Sequence, residues 1–186
     1  MKDRNEYTTV TEVLATYAKL DMIPPDVLER ACQRGSDVHD ICEAHLTNMG
    51  IPPYNPDLEG YIDSFRNWQS KHESAEFDFP DRFYDHDLEF SGECDCVMKF
   101  DGKRVLIDFK TSANQSKGWA LQGSAYAYLA MLNGTKLDEI CFVKLAKDGS
   151  DAKVYKYEYE EHIALFFKAL DLHKYFNPGK KRKRTK

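Results

Sequence analysis

Asp95, Asp108 and Lys110 carry the clearest chemistry in the chain. Asp101-Gly102 is a strong two-residue hairpin signal, and it joins two strand-like runs, 88–100 and 103–110. With that turn Phe100 pairs with Lys103. The same register sets Asp95 opposite Asp108 and Glu93 opposite Lys110. Directly opposed residues on one sheet face have Cβ atoms roughly 4.5–5.5 Å apart. Two carboxylates so placed repel each other, and a divalent cation between them removes the conflict. Carboxylate oxygens suit Mg²⁺ or Mn²⁺. A lysine beside such a cation suits a reaction at phosphate, where negative charge builds in the transition state. The plain alternative is an ionic cluster in which Lys110 only pairs with the two aspartates. Val97, Leu106, Ile107 and Phe109 are apolar, which points to a buried, central hairpin.

The rest of the chain must position that hairpin. Thr8 and Thr11 are candidate caps for a short helix over Glu12 to Leu20. Pro24-Pro25-Asp26 opens a longer helix that ends near Gly50, and Pro52, Pro53 and Pro56 stiffen the loop after it. Asp57 starts a third helix, with Leu58, Tyr61, Ile62, Phe65 and Trp68 on one face. A poorly defined extended stretch runs from Phe77 to Tyr84. After the hairpin come a helix over Lys117 to Asn133, strands at Glu139 to Leu145 and Lys153 to Tyr159, and a last amphipathic helix with Ile163, Phe166, Phe167 and Leu170. This order predicts an α/β or α+β domain around one mixed sheet flanked by helices.

The 186 residues make about one domain, expected over 1–176, with a basic tail of no fixed structure over 177–186. Hydrophobic residues at 42% and charged residues at 31% describe a globular chain. No apolar run approaches the roughly 18 residues of a membrane span. The first seven residues include the charged Lys2, Asp3, Arg4 and Glu6, with no apolar segment behind them, so the expectation is a cytoplasmic protein that is not secreted. Five cysteines then read as reduced thiols. The net charge of -5 hides an asymmetry. Residues Lys180 to Lys186 carry six positive charges, leaving 20 Lys and Arg against 31 Asp and Glu in the body. So acidic a body does not coat DNA by charge. If it meets nucleic acid, cations bridge some of its carboxylates to phosphates. The tail reads as a solvated end, as an electrostatic grip on the DNA backbone through Lys180, Lys181, Arg182, Lys183 and Arg184, or as a nuclear address.

His39 lies on the apolar stripe of the second helix, where a packed core histidine is the ordinary reading. Gly35 in the same helix costs about 1 kcal/mol relative to Ala and could mark close approach of another backbone. Gln122 and Tyr126, four apart, share a helix face, which ordinary packing also explains. Together these residues resemble the RecB-like branch of the PD-(D/E)xK nuclease superfamily. The matching segments are Arg34-Gly35 followed by His39, Gly92 with Asp95, Asp108-Phe109-Lys110-Thr111-Ser112, and Gln122 with Tyr126. Their order and spacing are similar to those of small phage-type exonucleases and of the mitochondrial genome maintenance exonuclease. The resemblance covers about residues 8 to 145.

The resemblance implies a restriction-endonuclease-like core and roles for single residues. His39, Asp95, Asp108 and the Phe109 carbonyl would ligate Mg²⁺ or Mn²⁺. Lys110 would orient the attacking water and stabilise the transition state. Gln122 and Tyr126 would position a DNA strand, Tyr126 by stacking on a base, with Arg34 among the DNA contacts. Many relatives carry a glutamate one strand earlier. Residues 79–85 hold no clear equivalent, and Glu93 or Asp85 could substitute. The cysteines do not match the iron–sulfur pattern of some relatives, so no cluster is expected. Cys94 and Cys96, flanking Asp95, are expected together on the opposite sheet face as packing residues. The implied activity is a metal-dependent exonuclease for single strands or free DNA ends in viral replication or recombination, working with a protein of that machinery. A structure-specific endonuclease or resolvase, or a nucleic-acid-binding protein with a vestigial site, are the alternatives.

Overall fold

The computed structural model describes residues 7–18 and 22–178. The tail at 180–186 and the expected end of the first helix at Leu20 lie outside the described residues. Helix α1 runs over Val10–Ala15, two residues earlier than expected, and its cap is Thr9. Thr9 Oγ1 accepts the Glu12 N–H at 3.1 Å, and Glu12 Oε2 accepts the Thr9 N–H at 2.6 Å. That reciprocal box satisfies two otherwise orphaned donors and outcompetes a start at Glu12.

Helix α2 covers Pro25–Leu46 and ends four residues short of Gly50. Pro25 in its first turn lacks only an N–H that had no partner in any case. A 3₁₀ turn over Pro56–Leu58 leads into α3, Glu59–Ser70. The short strands β1 (Thr8–Thr9), β2 (Glu76–Asp78), β3 (Phe83–Asp85) and β4 (Phe90–Gly92) precede the hairpin of β5 (Cys96–Phe100) and β6 (Lys103–Lys110). Then come α4 (Gly118–Leu132), β7 (Glu139–Lys144), β8 (Lys153–Tyr157) and α5 (Tyr159–Phe176).

The hairpin register is the expected one: Phe100 pairs with Lys103 and Cys96 with Ile107. Asp101 and Gly102 both have positive φ, 50° and 73°, the backbone a two-residue hairpin turn requires. The single long strand expected over 88–100 is two strands, however. β4 belongs to a three-stranded sheet in the order β1-β4-β3, and β5 to a five-stranded sheet in the order β2-β5-β6-β7-β8. So there are two sheets where one was expected. The larger is mixed, with β6 and β7 parallel through the α4 crossover and its other pairs antiparallel.

Alternation along β6 sorts its side chains between two cores. Val105, Ile107 and Phe109 face a cluster with Ile41 of α2 and Phe65 and Trp68 of α3. Leu106 faces the other cluster, with Leu129 of α4, Phe166 of α5 and Val10 of α1. Phe109 meets Phe65 and Trp68 edge-on, at 5.3 and 5.2 Å between centroids. These contacts pack the strand that carries Asp108 and Lys110 against α3. Cys94 and Cys96 do not share a face. Cys94 packs in the α4 core and Cys96 in the α3 core, because the chain bends at Asp95 as it passes between sheets. Gly35 marks no close approach, since a Cβ there would meet nothing within 4 Å.

Candidate active site

Asp108, third from the end of β6, is 3% exposed on the α4 side of the sheet. Lys110, two residues on, falls on the same face. Its ammonium pairs with Asp108 Oδ1 and stands 5.1 Å from the centre of the Phe142 ring. Asp95 does not sit in the ladder opposite Asp108, because pairing stops at Cys96. Its carboxylate instead caps the open end of the hairpin. Oδ2 accepts the Phe109 N–H at 2.5 Å, and Oδ1 lies 2.7 Å from His39 Nδ1. The Lys110 carbonyl accepts the Leu145 N–H, on the β7 side of β6. By strand alternation the Phe109 carbonyl points to the other side, where β5 has ended.

His39 reaches this point from α2, and Ser36, Asp40 and Glu43 share its helix face. Gln122 and Tyr126 enter from α4, with Gln122 Nε2 donating to the Tyr126 hydroxyl at 2.9 Å. His39, Asp95, Asp108, Lys110, Gln122 and Tyr126 all line one cleft of about 670 Å³.

Several expected residues stand differently from the roles expected of them. Tyr126 is 3% exposed and its ring lies against Gly92, so it has no free face on which a base could stack. Arg34 is not among the residues lining the cleft, and its guanidinium stands 5.9 Å from the Tyr61 ring centre. Asp85 sits in the smaller sheet, accepting the Asp87 and Leu88 N–H groups and the Tyr128 hydroxyl. Glu93 does line the cleft, but it meets Arg82 at 3.0 Å rather than Lys110. The DNA contacts expected at 180–184 lie outside the described residues. Sequence reasoning missed Asp40, Glu43 and Asp81, which also line the cleft. The spacing His39–Glu43 is a one-turn repeat, and that signal was available for Glu43.

The electrostatics follow from this crowding. Six carboxylates line the cleft, at Asp40, Glu43, Asp81, Glu93, Asp95 and Asp108, against the cations Arg82 and Lys110. Burial pushes the Asp108 carboxyl up to about 6, and Asp95 adds to the rise while Lys110 opposes it. Burial pulls the His39 imidazole down, but the charge and hydrogen bond of Asp95 outweigh it, with Asp108 adding, and leave it raised. Among the described residues, no three His, Cys, Asp or Glu groups stand ready-made as a metal cage. The donor set nonetheless fits a hard divalent cation: two carboxylates and an imidazole, with an acid that the chain's own cations leave under-compensated.

A buried carboxylate, a second one at the end of the hairpin, a lysine on the same strand face and a mixed sheet flanked by helices are features of one nuclease fold. The sequence model of the PD-(D/E)XK nuclease superfamily matches residues 55–173, well over half of the chain, and the chain belongs to that superfamily. Its α+β architecture is the restriction-endonuclease-like one of that group. The match starts after α2, so Arg34 and His39 fall outside it. No curated protein matches the chain. Among solved structures, the crystal structure of SSO0001 is similar over 95% of this chain and 78% of that one, at 13% identity and a TM-score of 0.47. Membership implies phosphodiester hydrolysis, and nucleases of the superfamily generally use divalent metals. No helix among the described residues is long and apolar enough to cross a membrane.

Proposed function

We propose that this protein is a Mg²⁺- or Mn²⁺-dependent deoxyribonuclease that shortens DNA from single-stranded or free ends, in viral DNA replication or recombination. The observation that carries the reading is the convergence of His39, Asp95, Asp108 and Lys110 on one cleft. Asp95, Asp108, His39 and the Phe109 carbonyl would hold the cation. When bound, it offsets the negative field of six carboxylates and acts as a Lewis acid toward a phosphodiester.

The chain's own residues do the rest. Asp108, held neutral-leaning by burial, supplies a charge that gains most from a cation beside it. Lys110 pairs with Asp108 at the cleft, and its ammonium offsets charge that develops on the phosphate oxygens. It also orients the attacking water. Asp95 keeps its geometry through the Phe109 N–H. Gln122, fixed by Tyr126, presents its amide to the strand. The acidic cleft disfavours a long duplex held by charge alone, whereas one flexible strand can present a single phosphate. The cationic segment 180–184 supplies the backbone grip that the body lacks.

The test is purified protein with Mg²⁺ or Mn²⁺ on end-labelled linear single strands, linear duplex and closed circles. Short oligonucleotides from linear single strands, little cutting of circles and complete loss in EDTA are expected. Efficient cutting of closed circles, or preference for a four-way junction, would replace this reading with a structure-specific endonuclease.

A further inference from the structure

A second hollow, of about 720 Å³, lies between the α1 segment, the start of α4 and α5. It adjoins the candidate active cleft, because Thr11 and Gln122 line both. Its character is the reverse of the cleft's. Trp119 forms part of its lining, with Tyr17, Leu165 and Leu172 around it. Tyr17 is 51% exposed, Leu165 53% and Leu172 50%, so sizeable apolar surface faces solvent at one place. The charges lining it are Lys117 and Lys168, and no acid lines it among the described residues. Past Leu172, α5 carries Tyr175 and Phe176, 77% and 73% exposed. The sequence then runs into the six cations of 180–186.

Apolar and aromatic surface bordered by lysines is what an unstacked nucleic-acid strand needs. Its bases have faces that pack on Tyr17 and the leucines, and its phosphates meet Lys117 and Lys168. A duplex hides its base faces and gains little here. A purely apolar protein surface would leave both lysines without partners. We infer that this groove binds the bases of a single DNA strand whose neighbouring phosphate lies in the acidic cleft. The inference rests on the nuclease reading above and adds to it where the strand runs: from Asp108 past Gln122 and along α5. The groove then selects for single strands, since only unpaired bases can enter it.

The experiment measures binding apart from cleavage, by fluorescence anisotropy of a labelled oligothymidylate in EDTA. Tyr17→Ala combined with Leu165→Glu should weaken binding about tenfold or more, the scale of losing one base stack. Lys168→Glu, an exposed change that leaves the apolar wall intact, should also weaken it and flatten its salt dependence. Leu132→Glu, at a residue 54% exposed at the far end of α4, should leave binding unchanged. Groove variants that bind as the wild type does would overturn the inference, as would a wild type that ignores oligothymidylate. Cleavage assays on the same proteins separate the two readings. Wild-type cutting with unaffected binding in the variants removes the groove and keeps the nuclease. Lost binding in the variants, with no cutting by the wild type in any divalent metal, keeps the groove and removes the nuclease.

Discussion

His39 Nδ1 lies 2.7 Å from Asp95 Oδ1, across 56 positions of sequence. The contact ties the middle of α2 to the residue where the chain enters β5. It also joins a residue outside the superfamily match to one inside it. If His39 is a metal ligand, His39→Ala should weaken Mn²⁺ binding about tenfold or more and disturb DNA binding less. Calorimetric titration decides the matter. Unchanged Mn²⁺ affinity would leave His39 as a packed histidine that merely steadies Asp95.

Asp108→Asn should reduce turnover by about 10²–10³-fold or more, the scale of removing one electrostatic element of a site. In the metal-free protein the same change should be stabilising at pH 8. The folded chain holds this carboxyl at about 6, above its unfolded value. Its stabilising share is therefore complete below the unfolded value and lost as pH rises through about 6. The melting temperature of Asp108→Asn in EDTA should exceed that of the wild type at pH 8, by a few degrees per kcal/mol. The gap should close toward pH 4.

The raised values of Asp108 and His39 also shape activity. If both ligate the cation, it must displace protons from both groups, so metal affinity falls with pH. The rate at fixed Mg²⁺ should drop below about pH 6.5, and added Mn²⁺ should move that acid limb to lower pH. A pH–rate profile flat from 5 to 8 would remove both groups from the metal site.

Lys110→Met should lower kcat without weakening Mn²⁺ binding, because the ammonium competes with the cation for Asp108. Tighter Mn²⁺ binding with slow turnover is the expected pair of results. Weaker Mn²⁺ binding would mean that Lys110 serves mainly to hold the strand end together.

Gly92→Ala and Gly35→Ala should act in opposite directions. A Cβ at Gly92 would stand 2.7 Å from Tyr126 Cδ1, whereas one at Gly35 meets nothing within 4 Å. The first should cost about 1–3 kcal/mol by overpacking and displace the Tyr126–Gln122 pair. The second, inside α2, should stabilise by up to about 1 kcal/mol. Thermal unfolding of the two variants measures both.

Local rules were enough for the hairpin. Asp101-Gly102 allows one compact turn, and that turn sets every pair from Phe100–Lys103 to Cys96–Ile107. Period-2 alternation then puts Asp108 and Lys110 on one face, and one-turn spacing puts Gln122 and Tyr126 together. What the sequence could not specify is where the ladder stops. Asp95 leaves it because the chain must cross from the sheet of β4 to that of β5, and its carboxylate finds the Phe109 N–H that pairing no longer uses. Glu93 turns to Arg82 for the same reason. Arg34 and His39 are five residues apart on one helix, yet only His39 meets the cleft, because the roll of α2 is set by Val38, Ile41 and Cys42 packing beneath it. Tyr126 was legible as a site residue but not as a buried one. Its burial depends on Gly92, 34 positions earlier, leaving room for the ring. The sequence by itself determined which groups are candidates for the chemistry, since residue type and local period are written in it. The tertiary structure alone decided which atoms meet, because packing between distant elements sets those distances.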